Sequence, residues 1–137
     1  MSLGFTIEPY GTVEEVIKSW KPRGCATEKE FEQSLSRKLE KELKNQKIQT
    51  QYGSGRQRVD IVVHKKVPIE VKKDLTTTSA LQRTLGQVDQ YLQDWDSLIL
   101  VLCGDVAPDL LKSLKKACES KTDLGHMYDN RVFIIVK

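Results

Sequence analysis

Soft metal ligands are scarce in this 137-residue chain, which has three cysteines (Cys25, Cys103 and Cys118) and two histidines (His64 and His126). The cysteines are odd in number, widely spaced and form no C-x-x-C, which argues against a zinc site or a four-cysteine iron–sulfur cluster. They read as buried, reduced thiols of an intracellular protein, and His126 as an incidental loop residue. No apolar run is long enough to span a bilayer and the N-terminus carries no signal-peptide pattern. The expectation is therefore an intracellular, cytoplasmic protein without a membrane partner. An excess of one charge is also missing: 22 Lys and Arg against 19 Asp and Glu leave a net +3. That is too little to announce a polyanionic partner, so any basic surface must come from local clustering. No helix-turn-helix or zinc-finger pattern is present either.

The length fits one domain able to bury roughly 68 to 70% of its unfolded surface. Residues 1–24 read as an N-terminal extension with a short helix, in which Thr12 and Glu15 form a capping-box pattern ahead of Val13, Val16, Ile17 and Trp20 at helical spacing. A second capping box, Thr27 with Glu30, opens a longer helix with Phe31, Leu35, Leu39 and Leu43 as its apolar stripe. Lys47 to Tyr52 alternates like a strand, and Gly53-Ser54-Gly55 follows as a turn. Thr76 to Ser79 is able to cap a third helix with Leu81, Leu85, Val88 and Leu92 inward. Ser97 to Cys103 is a continuous apolar run, bounded by Gly104-Asp105, that fits a strand buried on both faces. Residues 104–137 add a helix opened by Pro108, with Leu110, Leu111, Leu114, Ala117 and Cys118 inward, and a last strand from Arg131 to Val136. The fold class is α/β with a mixed central sheet flanked by helices.

The most informative stretch is R-Q-R-V-D-I-V-V-H-K-K-V-P-I-E-V-K-K, residues 56–73. Two apolar runs flank a polar His64-Lys65-Lys66 tip, the pattern of a β-hairpin. Side chains alternate along a strand, so Val59, Ile61, Val63, Ile69 and Val71 make one face while Asp60, Glu70 and Lys72 point the other way. A turn centred on Lys65 sets Asp60 opposite Glu70, with Cβ atoms roughly 4.5 to 5.5 Å apart. Two carboxylates that close repel by about 3 kcal/mol at an effective dielectric near 20. A purely structural hairpin has no use for that cost, whereas a divalent cation turns it into a binding site for Mg²⁺. Lys72, two residues beyond Glu70, adds a positive charge suited to a water nucleophile or to charge developing on a phosphate.

Asp60, nine intervening residues, and then Glu70-Val71-Lys72 resemble the D…(D/E)-x-K signature of the PD-(D/E)xK nuclease superfamily, with its hydrophobic flanks present as V-D-I-V-V and P-I-E-V-K. No proline precedes Asp60, where Val59 stands instead. Gln87 and Tyr91, on the helix that begins after this strand, resemble the Q-x-x-x-Y motif of RecB-like nucleases and type I restriction motor subunits. The resemblance covers about Thr27 to Cys103 and implies a restriction-endonuclease-like αβββαβ core, with an extra N-terminal helix and a C-terminal helix and strand.

For function, the resemblance implies a metal-dependent deoxyribonuclease acting in DNA repair, recombination or restriction. Asp60, Glu70 and the Val71 backbone carbonyl would hold Mg²⁺ or Mn²⁺, and Lys72 would serve the nucleophile. Glu28, in the first turn of the second helix, would join the catalytic group, with Glu32 a less favoured candidate. An acid at Glu28 also complements the helix dipole, and the residues leave both roles open. Gln87 and Tyr91 would position substrate. Arg56, Arg58, Lys65, Lys66, Lys73 and Arg83 cluster in sequence around the site and are expected to contact phosphates, giving salt-dependent DNA binding. A homodimer and a place in a larger helicase–nuclease or restriction assembly are both compatible with this reading. The alternative is a non-catalytic nucleic-acid-binding or assembly module that retains the fold.

Overall fold

The computed structural model describes residues 9–55, 58–119 and 131–137. Arg56 and His126 lie outside the described residues. In chain order the elements are α1 (Pro9–Ser19), α2 (Glu28–Glu42), β1 (Ile48–Tyr52), β2 (Val59–Val63), β3 (Val67–Leu75), α3 (Thr78–Asp94), β4 (Leu98–Val106), α4 (Pro108–Glu119) and β5 (Val132–Val136). The strands form one five-stranded mixed sheet in the order β1-β2-β3-β4-β5. The first three run antiparallel, and β4 and β5 join in parallel after helical crossovers.

Helices cover both faces. On one, α1, the Trp20 that follows it and α2 set Val13, Ile17, Trp20, Phe31, Leu35 and Leu39 against Ile61, Val63, Ile69, Val71, Ile99 and Val101. On the other, α3 and α4 set Leu81, Val88, Tyr91 and Leu114 against Val62, Leu98, Leu100 and Leu102. The N-terminal helix is thus built into the core. Among the described residues no helix is long and apolar enough to cross a membrane.

Local chemistry accounts for most boundaries. The Thr27 hydroxyl accepts from the Glu30 N–H at 3.1 Å, and the Glu30 carboxylate accepts from the Thr27 N–H at 3.0 Å, the reciprocal capping box of α2. At the hairpin tip, Lys66 N–H donates to the Val63 carbonyl at 3.0 Å, and His64 and Lys65 have φ of 54° and 55°. Positive φ at both central positions makes a type I′ turn, whose twist matches that of the flanking strands.

Four expectations need correction. Helix α1 begins at Pro9, so Thr12 is an interior residue and not its cap. Proline lacks the N–H that a first turn leaves unpaired anyway, and its φ suits that position. Helix α3 turns Leu81, Thr84, Val88 and Tyr91 inward and leaves Leu85 and Leu92 half-buried. A buried tyrosine can be tolerated there because its hydroxyl finds a carbonyl partner. Strand β4 does not stop at Gly104-Asp105 but runs to Val106. Asp74, at an irregularity of β3 with φ of 61°, accepts from the Asp105 N–H at 2.9 Å, and Gly104, with φ of 73°, leaves room for that carboxylate.

Val59 does not share a face with Ile61 and Val63; it packs with Tyr52 on the α3 side. The β1–β2 pairs step from Thr50–Ile61 to Tyr52–Val59, and Gln51 between them has φ of 49°. The two strands rotate together here, and Asp60 occupies the rotation.

Candidate active site

The β2–β3 ladder pairs Val63 with Val67, Val62 with Pro68 and Ile61 with Ile69, a register centred on Lys65. Asp60 and Glu70 come next, where the carboxylate of Asp60 takes over from the ladder and accepts the Val71 N–H at 2.9 Å. In an antiparallel pair a residue's N–H and C=O face the same neighbour, so the Val71 carbonyl opens onto the same fork. Ile69 and Val71 pack toward α1 and α2, which turns Glu70 toward α3.

Glu70 is only 4% exposed. Its Oε2 lies 3.3 Å from Lys72 Nζ, while its Oε1 is buried without a hydrogen-bond partner among the described residues. Burial first, and then the charge of Asp60, push the Glu70 carboxyl up to about 8, and the nearby Lys72 ammonium only partly offsets them. Burial raises Asp60 as well, against the opposing effects of the Val71 N–H and Lys72. Two carboxyls in this relation resist ionising together, and a bound cation would offset that repulsion.

Acids from α2 approach the fork from the other side. Glu28 Oε2 accepts the Lys73 N–H at 3.0 Å, and its charge raises Asp60. One turn later Glu32 is raised by burial and accepts from Gln51 Nε2 at 2.8 Å, with Asp60 adding to the shift. The Glu32–Gln51 pair escapes sequence reasoning, although Gln51 stands opposite Asp60 in the β1–β2 register.

From α3, the Tyr91 hydroxyl donates to the Arg58 carbonyl at 2.8 Å. Burial, followed by the charges of Glu70 and Asp60, raises its pKa, so it is a neutral donor. Gln87, one turn earlier, has a buried Oε1 that likewise lacks a hydrogen-bond partner among the described residues.

The basic residues divide. Lys72, Lys73 and Arg83 line a cleft of about 220 Å³ that also contains Glu28 and Thr84. Lys73 is ion-paired with Asp74, whereas the Arg83 guanidinium reaches Ser79 Oγ at 3.3 Å. Arg58 is exposed beside Asp60. Lys65 and Lys66 sit at the hairpin tip, five residues along each strand and roughly 16 Å from the fork, so the fold does not bring them to the site.

Among the described residues no three His, Cys, Asp or Glu side chains stand as a ready metal cluster. Two carboxylates and a carbonyl are nonetheless hard oxygen donors of the number Mg²⁺ accepts while keeping several waters, and the orphaned Glu70 Oε1 suits that role. Compared with known proteins, the chain matches no family model, no curated sequence and no solved structure.

Proposed function

We propose that the chain is a metal-dependent deoxyribonuclease of the PD-(D/E)xK type that hydrolyses phosphodiester bonds in DNA repair, recombination or restriction. The observation that carries this reading is the pairing of half-buried Asp60 with buried Glu70, with one Glu70 oxygen unpartnered among the described residues and the Lys72 ammonium 3.3 Å from the other. A fold without ligand chemistry would gain by replacing such a pair with apolar residues. On this reading, α2 through β4 is a restriction-endonuclease-like αβββαβ core, to which α1, α4 and β5 are additions.

Mg²⁺ or Mn²⁺ held by Asp60, Glu70 and the Val71 carbonyl would polarise a phosphate oxygen and acidify a water. Lys72 stands at the mouth of the site, its side chain 21% exposed, and orients the nucleophile or offsets charge developing on the phosphate. Glu28 positions β3 through the Lys73 N–H. Tyr91 fixes the chain entering β2 through the Arg58 carbonyl, and Gln87 offers a buried amide to the substrate or to a ligand water. Arg83 contacts a phosphate in the cleft beside Lys72. Self-association and membership of a helicase–nuclease or restriction assembly are compatible with this chemistry.

The test is cleavage of linear duplex and circular single-stranded DNA with Mg²⁺, Mn²⁺ or EDTA, by the wild type and Lys72→Ala. The expected result is cutting that EDTA abolishes and that the substitution slows by about 10²-fold or more. Equal rates for the two proteins, or DNA binding without cutting by either, would reject the reading and leave a non-catalytic nucleic-acid-binding or assembly module.

A further inference from the structure

Next to the fork, on the α3 side of the sheet, Tyr52 and Trp95 meet edge to face, with ring centroids 6.0 Å apart and planes at 64°. With Gly53, Ser54 and Asp94 they line an open pocket of about 340 Å³. Tyr52 and Trp95 are half-buried, and Gly53 and Ser54 beside them are exposed. Tyr52 pairs with Val59, the residue before Asp60. Trp95 follows Tyr91 by one helical turn on the same face, about 5 Å further along.

The platform is held in place. Trp95 N–H donates to the Tyr91 carbonyl at 2.8 Å, and the Trp95 carbonyl accepts from Arg131 at 2.9 Å. Arg131 also donates to the Leu92 and Asp96 carbonyls, both at 2.8 Å. The tryptophan backbone is thus fixed at the end of α3. Two partly exposed aromatic residues, an adjoining carboxylate able to accept from a base N–H, and small residues in the lining suit a flat heteroaromatic ring. A base inside a duplex presents no face to stack on, so the ring must come from an unpaired nucleotide.

We propose that the Tyr52–Trp95 pocket takes one unstacked nucleobase of the strand whose phosphate lies at Asp60 and Glu70, which makes single-stranded DNA or a frayed end the substrate class. The proposal rests on the nuclease reading for the role of the site, but base binding is measured without catalysis.

The experiment titrates the full chain, in EDTA, with an oligothymidylate and with an abasic oligomer of the same length. The chain has two tryptophans. Trp20 is 3% exposed and bonded through Nε1 to Ser34 Oγ, so quenching by a stacked base reports Trp95. Oligothymidylate should quench the emission and bind roughly tenfold tighter than the abasic strand. Trp95→Leu should bring the thymidylate affinity down to the abasic value without changing the latter, and Trp95→Phe should restore part of the difference. Thermal melting checks that both variants fold. Equal binding of the two strands by the wild type, absence of quenching, or an equal loss for both strands in Trp95→Leu would overturn the proposal. Loss of base preference with metal-dependent cutting intact removes this pocket alone. Base-selective binding without cutting removes the nuclease reading and leaves the pocket standing.

Discussion

At its tip, the β2–β3 hairpin does what its sequence period asks: Val63 faces Val67, Ile61 faces Ile69, all four are at most 1% exposed, and a type I′ turn closes the ladder. Three residues nearer the other end, the same two strands half-bury Asp60 and bury Glu70, give up a ladder position to a carboxylate and leave a buried oxygen without a partner among the described residues. The tip contributes stability and offers no chemistry. The fork withholds stability, and its unmet valences are what a ligand could use. Residues one to three positions apart on each strand of one hairpin therefore follow opposite rules, and substitutions in the two parts should have effects of opposite sign.

The largest effect belongs to the apolar end. Ile69→Ala removes a fully buried side chain between α2 and the sheet, opposite Ile61. It should cost about 2 to 5 kcal/mol, read as a lower denaturation midpoint with an unchanged slope. A loss below about 1 kcal/mol would mean that this end is not the rigid half of the comparison.

At the fork the sign reverses, and pH reveals it. The folded state holds the Glu70 proton up to about 8, against an ordinary 4.5. Native protein therefore binds more protons than unfolded chain between those values. Stability attributable to this group is complete below about pH 4.5 and is lost as pH rises through about 8. Glu70→Gln keeps the shape of the protonated acid and cannot ionise. In EDTA it should match the wild type near pH 4.5 and exceed it at pH 9 by on the order of 5 kcal/mol. Mg²⁺ or Mn²⁺ should raise the wild-type melting temperature and leave that of Glu70→Gln unchanged. Parallel stability–pH curves for the two proteins would show that Glu70 ionises normally and that the fork is not under charge strain.

How far each end could be read from the sequence follows the same division. The capping box of Thr27 and Glu30, the hairpin centre at Lys65 and the burial of residues 98–103 follow from local spacing, where each signal and the tertiary packing agree. The identity of Asp60, Glu70 and Lys72 as one cluster was also legible, because strand parity and a single register suffice to predict it. The rotation at Gln51 was not legible. It depends on a left-handed backbone adopted by a residue that reaches Glu32 from another element, and it moves Val59 to the opposite face. Nor could spacing orient α3: four apolar residues, Leu81, Leu85, Val88 and Leu92, define a stripe about one position away from the buried one. Tyr91 and Thr84 turn inward because each hydroxyl finds a carbonyl, of Arg58 and Ala80 respectively. Tyr52 and Trp95 are brought together only by the assembled sheet and helix.

The smallest effect tests whether the tip is as free of function as its geometry implies. Lys65 adopts φ of 55° at an exposed position of the type I′ turn, where glycine sits without Cβ strain. Lys65→Gly should therefore stabilise the fold by up to about 1 kcal/mol, the relief of left-handed strain exceeding the extra entropy of the unfolded chain. Roughly 16 Å from the fork, it should also leave DNA affinity and its salt dependence unchanged. Arg83→Ala, in the cleft beside Lys72, should reduce the salt slope by about one phosphate contact. Comparing the two slopes across a salt titration decides between local and distributed phosphate contacts. If Lys65→Gly flattens the slope as much as Arg83→Ala, the DNA path extends along the whole hairpin, and the tip belongs to the binding surface after all.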